Sequence, residues 1–170
     1  MINRFKNKEV LVTGHTGFKG SWLTLWLNML GAKVVGVALD PEQINGAFKS
    51  MNISSICTDI RQDINDLNEV QKIFTEHQPE IVFHLAAQPL VLNSYQKPIE
   101  TFQTNIIGTA NVLEACRHTS SVKTIVIITT DKCYENRETL KGYAETDRLG
   151  GKDPYSASKA AAEIVVHSYR

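Results

Sequence analysis

The chain has 170 residues, enough for one domain with a substantial core. Lys plus Arg and Asp plus Glu are 18 each, so the formal net charge is zero, which gives no support for binding nucleic acid or a membrane surface. The three cysteines, Cys57, Cys116 and Cys133, are widely spaced and odd in number; they form neither a zinc pattern nor a disulfide framework, so a reducing, cytoplasmic compartment is expected. The start, MINRFKNKEV, has charges and no apolar stretch of signal-peptide type, and no apolar run reaches membrane-spanning length. The histidines show no ligand spacing, so no metal site is expected and they read as structural or surface residues.

In chain order, Glu9–Thr13 reads as an apolar strand. It runs into the glycines Gly14, Gly17 and Gly20, then a helix, then a second apolar strand from Lys33 that ends at Asp40. Strand, glycine turn, helix, strand and terminal acid in that order form a dinucleotide-binding pattern. The first glycine permits the tight turn, the second a close backbone approach to a pyrophosphate, and the third close packing of helix on strand. The helix start offers free N–H groups and a positive dipole end to phosphates. A carboxylate at Asp40 can accept hydrogen bonds from the adenosine ribose hydroxyls and repels a 2′-phosphate, so NAD is expected rather than NADP.

The stretch 41–55 reads as a polar connection, and Ser55–Thr58 as a short third strand ending in Asp59-Ile60. Asp66–His77 carries Leu67, Val70, Ile73 and Phe74 at helical spacing, with Asp66 as N-cap. Ile81–Ala86 has the continuous apolar character of a buried parallel strand. The stretch 86–98 reads as a loop, and Glu100–His118 as one long helix with Phe102, Ile106, Thr109, Val112, Leu113 and Cys116 along one side. Lys123–Thr129 is the fifth strand. A polar segment from Lys132 to Asp153 reads as a site-forming loop. A last helix starts at Pro154, with Asp153 as its N-cap, and keeps a helical pattern to Arg170. Strands alternating with helices predict an α/β fold, a doubly wound parallel sheet of Rossmann type with right-handed crossovers.

Two stretches carry chemistry. Thr130-Asp131-Lys132, after the fifth strand, place a hydroxyl, an acid and an amine at the sheet edge where open α/β sheets bind ligands. Tyr155 and Lys159 share one helix face, where the ammonium is expected to lower the phenol's pKa and make it a base for a hydroxyl proton. Taken singly, a turn after a strand and a surface Tyr–Lys pair are the plainer explanations. Downstream of a dinucleotide fingerprint, the two stretches together favour oxidoreduction at a carbinol carbon.

These pieces resemble the extended short-chain dehydrogenase/reductase family of nucleotide-sugar enzymes. The segments that carry the resemblance are Thr13–Trp22, Asp40, Asp59-Ile60, His84–Gln88, Thr104–Ala115, Thr129–Asn136 and Pro154–Lys159. GHTGFKGSW, TDKCYEN and LGGKDPYSASK are most similar to the branch that dehydrates CDP-glucose, and Asp131-Lys132, where related dehydratases carry Asp-Glu, is a feature of that branch. The resemblance implies NAD as cofactor, bound by Gly14, Thr16, Gly17, Phe18, Gly20, Asp40, Asp59, Ile60, Leu85, Ala86, Ala87, Tyr155 and Lys159. It implies CDP-glucose as substrate, with Tyr155 taking the 4-hydroxyl proton and Lys159 holding the nicotinamide ribose. Thr130 would bond the 4-oxygen, Lys132 remove the C5 proton, and Asp131 protonate the departing 6-hydroxyl. Relatives carry a further C-terminal portion for nucleotide and sugar, so residues 1–170 are expected to be an NAD-binding domain truncated before that substrate lobe. The helices near 100–118 and 154–170 resemble those that pair in family dimers, although their apolar faces could equally pack within the sheet layers. An epimerase, a dehydratase of another nucleotide sugar, an NADP reductase and a non-catalytic NAD-binding module are the competing readings. The pathway implied is dideoxysugar supply for bacterial surface polysaccharide.

Overall fold

The structure, a computed structural model, describes residues 4–41 and 45–170. Residues 42–44 of the expected polar connection, and the first three of the N-terminal stretch, lie outside the described residues. Five parallel strands, β1 (Glu9–Thr13), β2 (Lys33–Ala38), β3 (Thr58–Arg61), β4 (Ile81–His84) and β5 (Thr124–Ile127), form one sheet in the order β3-β2-β1-β4-β5. The order reverses direction between β1 and β4, which opens a crevice at the C-terminal ends of those two strands.

Period-two alternation along β1 sends neighbouring side chains to opposite faces. Val10 and Val12 join Leu27 of α1 (Phe18–Met29), Ala32 and Val34 in one core. Leu11 joins Val35, Val37 and Val82 on the other face, packed by Val70, Ile73 and Phe74 of α3 (Leu67–His77) and by Val112, Ala115 and Cys116 of α6 (Gly108–Arg117). The expected cap of α3 is present: the Asp66 carboxylate accepts the Glu69 N–H at 3.2 Å. No helix among the described residues is long and apolar enough to cross a membrane.

Several expected boundaries move. The third strand is Thr58–Arg61, not Ser55–Thr58, because Ile53–Ser55 closes as a 3-10 turn and β2 pairs its Val35–Ala38 with Thr58–Arg61. Asp59 and Ile60 therefore lie inside the strand. The expected loop 86–98 holds α4 (Val91–Gln96). Its Leu92 and Tyr95 are exposed while Ser94 is buried, so it has no apolar inward stripe to betray a helix. The stretch 41–55 likewise contains a single helical turn, α2 (Ala47–Ser50). The long helix is α5 (Pro98–Phe102), a π-helical turn (Gln103–Ile107) and α6 run together. β4 ends at His84; the Leu85 N–H is shared between the Thr13 carbonyl and hydroxyl, and the Ala86 N–H turns to that hydroxyl, each at 3.1 Å. The last helix, α7 (Pro154–Ser168), begins as expected, with Asp153 accepting the Ser156 N–H at 2.9 Å.

Candidate active site

The residues singled out in the sequence gather along the C-terminal edge of the sheet. Gly14 begins the turn after β1 at φ +76°, a conformation that disfavours side chains, and a Cβ there would lie 2.7 Å from the Ala86 backbone nitrogen. The β1 and β4 loops thus touch at the crevice, which places Leu85, Ala86 and Ala87 beside the glycine turn. A Cβ on Gly20 would sit 2.1 Å from the Gly14 carbonyl oxygen, so only glycine lets α1 start this close to the strand. Gly17 differs: a Cβ there would meet only the Gly14 oxygen, at 3.3 Å, and otherwise open space. Gly17 is the N-cap of α1 with no side-chain cap, so the helix's first N–H groups face an open cradle that suits a diphosphate. Thr16 donates its hydroxyl to the Leu39 carbonyl at 3.1 Å, tying the turn to the end of β2, and Phe18 is exposed.

Asp40 follows β2 with its carboxylate open to solvent, 3.6 Å from Arg61 Nε. The Asp59 carboxylate is fixed from two sides: Oδ1 accepts His15 Nε2–H and Oδ2 accepts Arg61 Nη2–H, each at 2.8 Å. His15 is fully buried, and burial holds its pKa below the ordinary histidine value despite Asp59.

The second half of the site lies beyond β5. The Thr130 hydroxyl donates to Asp131 Oδ1 at 3.0 Å and accepts the Lys132 N–H at 3.3 Å. Tyr155 reaches Thr130 from α7, and this contact favours phenolate; burial of the phenol outweighs it, with Asp131 and Asp153 adding to the rise, so the net shift is upward. The expected lowering by Lys159 is therefore not met. The Lys159 ammonium is turned to the Ile128 carbonyl, 3.3 Å away, and is itself buried, which pulls its pKa down to about 8 against the support of Glu163. Asp131 and Lys132 are both exposed. The structure brings Thr130, Asp131 and Tyr155 together and holds Lys159, one turn further along α7, against the Ile128 carbonyl.

Sequence reasoning missed a buried polar network that joins the two halves. The Thr13 hydroxyl accepts two backbone N–H groups, so its proton goes to His84 Nδ1 at 2.7 Å. His84 Nε2–H then donates to Thr109 at 3.0 Å, and Thr109 to the Asn105 carbonyl at 2.7 Å. Asn105, in the π-helical turn, accepts the Gln88 N–H at 2.8 Å and donates to Ser158 at 2.8 Å, one residue from Lys159. Thr129 donates to the Glu163 carboxylate, a second tie between β5 and α7. The available signal was Thr101, Asn105 and Thr109, polar residues four apart on the face that an apolar helix would bury. Among the described residues no group of three or more His, Cys, Asp or Glu is placed to hold a metal ion.

A family model described as GDP-mannose 4,6 dehydratase matches residues 11–170. The chain belongs to this family. The match covers the glycine turn, the Thr130 cluster and the Tyr155–Lys159 pair, and the family is one of nucleotide-sugar dehydratases and epimerases. The chain is 48% identical over 168 residues to CDP-glucose 4,6-dehydratase of Salmonella typhimurium, covering 99% of this chain and 47% of that protein. It superposes with TM-score 0.84 and 30% identity on UDP-glucose 4-epimerase of Thermotoga maritima with UDP-glucose, over 95% of this chain and 50% of that one. MoeE5 in complex with UDP-glucuronic acid and NAD matches at TM-score 0.78 and 30% identity, over 95% of this chain and 49% of that one. The chain thus spans about half the length of the curated relatives and solved structures that it matches.

Proposed function

We propose that the protein is an NAD-dependent dehydratase converting CDP-glucose to CDP-4-keto-6-deoxyglucose in the cytoplasm, and that residues 1–170 are its NAD-binding domain, which also carries the catalytic side chains. The observation that carries this reading is the Thr130-Asp131-Lys132 run set against Tyr155 and Lys159 at the sheet edge. An epimerase needs no acid–base pair for loss of water, so Asp131-Lys132 favours dehydration. The 48% identity to a CDP-glucose 4,6-dehydratase supports the substrate, and the NAD in the MoeE5 complex supports the cofactor.

When bound, NAD supplies a reversible store for hydride taken from the sugar C4 and returned to C6. The glycine turn from Gly14 through Thr16, Gly17, Phe18 and Gly20 would hold its diphosphate, and Asp40 the adenosine ribose. Asp59 and Ile60 would flank adenine, while Leu85, Ala86 and Ala87 line the crevice. Lys159 would hold the nicotinamide ribose. Tyr155 takes the proton of the 4-hydroxyl, and Thr130 hydrogen-bonds the 4-oxygen. The resulting ketone acidifies the C5 hydrogen. Lys132 removes that proton and returns it to C5 once hydride has reached C6, and Asp131 protonates the 6-hydroxyl as it leaves as water. The step uses Lys132 neutral and Asp131 protonated, and it needs water excluded from their surroundings. Asp131 and Lys132 are exposed in this chain, so the cover must come from bound substrate or from protein outside these residues.

Calorimetric titration of the chain with NAD, and with NADP as control, tests the cofactor half: NAD is expected to bind and NADP to bind more weakly. Assay of a full-length enzyme with CDP-, UDP-, dTDP- and GDP-glucose tests the substrate; turnover of a UDP or GDP sugar alone refutes it. In that enzyme Lys132→Met should still reduce NAD when given substrate but release no dehydrated product. A variant with unimpaired dehydration would remove Lys132 from the mechanism.

A further inference from the structure

The end of β3 holds a cation that the cofactor reading does not use. Arg61 is the last residue of that strand, and its guanidinium lies over the Phe48 ring, 4.8 Å from the centroid. Nη2 donates to Asp59 Oδ2 at 2.8 Å and Nη1 to the Leu39 carbonyl at 3.2 Å, the carbonyl that also accepts the Thr16 hydroxyl. The guanidinium therefore sits where the glycine turn, the end of β2 and the end of β3 meet. A deeper layer holds it there. Asp59 is fixed by the fully buried His15, and the His15 ring fills the space above Gly36, where a Cβ would lie 2.4 Å from it.

Three of the contacts that fix Arg61 are short or stacked. The fourth, Nε to Asp40 Oδ1, is the longest of the polar ones at 3.6 Å, and the Asp40 carboxylate is 92% exposed. The Arg61 side chain is itself 31% exposed, and one hydrogen on each of Nη1 and Nη2 takes no part in these contacts. Asp40, Asp59 and Arg61 carry a local charge of minus one; without Asp40 it is zero. A phosphate monoester carries close to two negative charges, and a guanidinium presents paired donors that match phosphate oxygens.

We infer that Arg61 is a preformed anchor for a phosphate on the adenosine 2′ position, and that Asp40 alone withholds it from NADP. This rests on the reading of the glycine turn and Asp40 as the adenosine site. In ordinary coenzyme discrimination, an acid at the end of the second strand selects NAD and a nearby arginine accommodates the extra phosphate. Here the two are present together, with the acid in front. Removing the carboxylate should then suffice to admit NADP, with no basic residue added.

The test is calorimetric titration of the chain, and of its Asp40→Ser, Asp40→Ser/Arg61→Met and Asp40→Ser/Arg61→Lys variants, with NAD, NADP and adenosine 2′,5′-bisphosphate. Circular dichroism melts check that each variant is folded. Asp40→Ser is expected to bind NADP and the bisphosphate at least tenfold more tightly than the parent, and this gain should shrink with added salt. Arg61→Met in that background should return both to parent affinity while NAD binding stays near that of Asp40→Ser; Arg61→Lys should keep part of the gain. No gain in Asp40→Ser, or a gain that survives Arg61→Met, overturns the inference. If Arg61→Met unfolds the chain, the lysine variant decides, since a gain wholly indifferent to arginine geometry and to salt is not phosphate anchoring. A parent that binds neither dinucleotide nor the bisphosphate overturns the cofactor reading, and the role of Arg61 with it.

Discussion

Two buried residues show how much of the site's behaviour follows from burial. His84 lies on β4 between two threonine hydroxyls, one accepting from it and one donating to it, so the ring is satisfied only when neutral. Burial, with Lys159 nearby, holds its pKa at about 3. The unfolded chain takes up this proton near the ordinary value of 6.5 and the folded chain does not, so stability from this group is complete above that value and is lost as pH falls toward about 3. The imidazole is therefore expected to show no NMR titration between pH 5 and 8. His84→Ala, which strips one hydrogen bond from each of two buried hydroxyls and leaves a cavity, should cost about 2–4 kcal/mol in urea unfolding. Lys159 acts with the same sign in a higher pH window. Its pKa of about 8 lies below the unfolded value of 10.5, so the folded state strains to keep the charge, and stability rises as pH climbs between these values. Lys159→Met should raise the melting temperature at pH 7, by roughly 1–2 kcal/mol in stability, while abolishing catalysis in the full enzyme. Tyr155 and Lys159 were legible because a four-residue spacing fixes a shared helix face. Their pKa values were not, because these depend on what buries each group, and the Ile128 carbonyl that holds the ammonium is far away in sequence.

At the scale of elements, the β1–turn–α1 unit was legible almost residue by residue, because its glycines answer contacts made within one short stretch. Gly20→Ala tests this. Its Cβ would stand 2.1 Å from the Gly14 carbonyl oxygen, a backbone atom that cannot swing aside, so the start of α1 must shift. Chemical denaturation should show a loss of about 2–4 kcal/mol, and NAD affinity should fall by more than tenfold because the same shift moves the cradle N–H groups. A variant as stable as the parent would show that the turn is looser than its geometry states. The bounds of the third strand and the π-helical turn were not legible. The strand is placed by pairing with β2 and by the His15–Asp59 contact, neither visible in a window of neighbours. The π-helical turn puts Asn105 against both the Gln88 loop and Ser158, contacts across 17 and 53 residues. Single π-turns inside helices recur at functional sites, and this one ties the crevice loop to α7.

Among the described residues, the helices expose two apolar surfaces, and these are the candidate faces should the protein self-associate. One is a single-helix stripe on α1: Phe18, Trp22, Trp26 and Met29, at helical spacing. The other is spread over the helices of the opposite sheet face, with Leu92 on α4, Ile99 on α5, Ile107 in the π-helical turn and Ile164 on α7. α7 packs against α4, α5 and α6, so this second surface is broad and rigid. A two-fold dimer places the same patch on both partners, and stable interfaces need roughly 800 Å² per partner, which several helices supply more readily than one. The α4–α7 face is therefore the expected dimer surface. Ile99→Asp/Ile164→Asp should convert a dimer to a monomer by light scattering, keep the helical circular dichroism signal, and remove the concentration dependence of the melting temperature. Trp22→Ser/Trp26→Ser should leave the dimer intact. If dissociation follows the tryptophan changes instead, the interface lies on α1, beside the glycine turn. Association would then respond to NAD, whereas a dimer through α4–α7 would pass the coupling through α7, the helix that carries Tyr155 and Lys159.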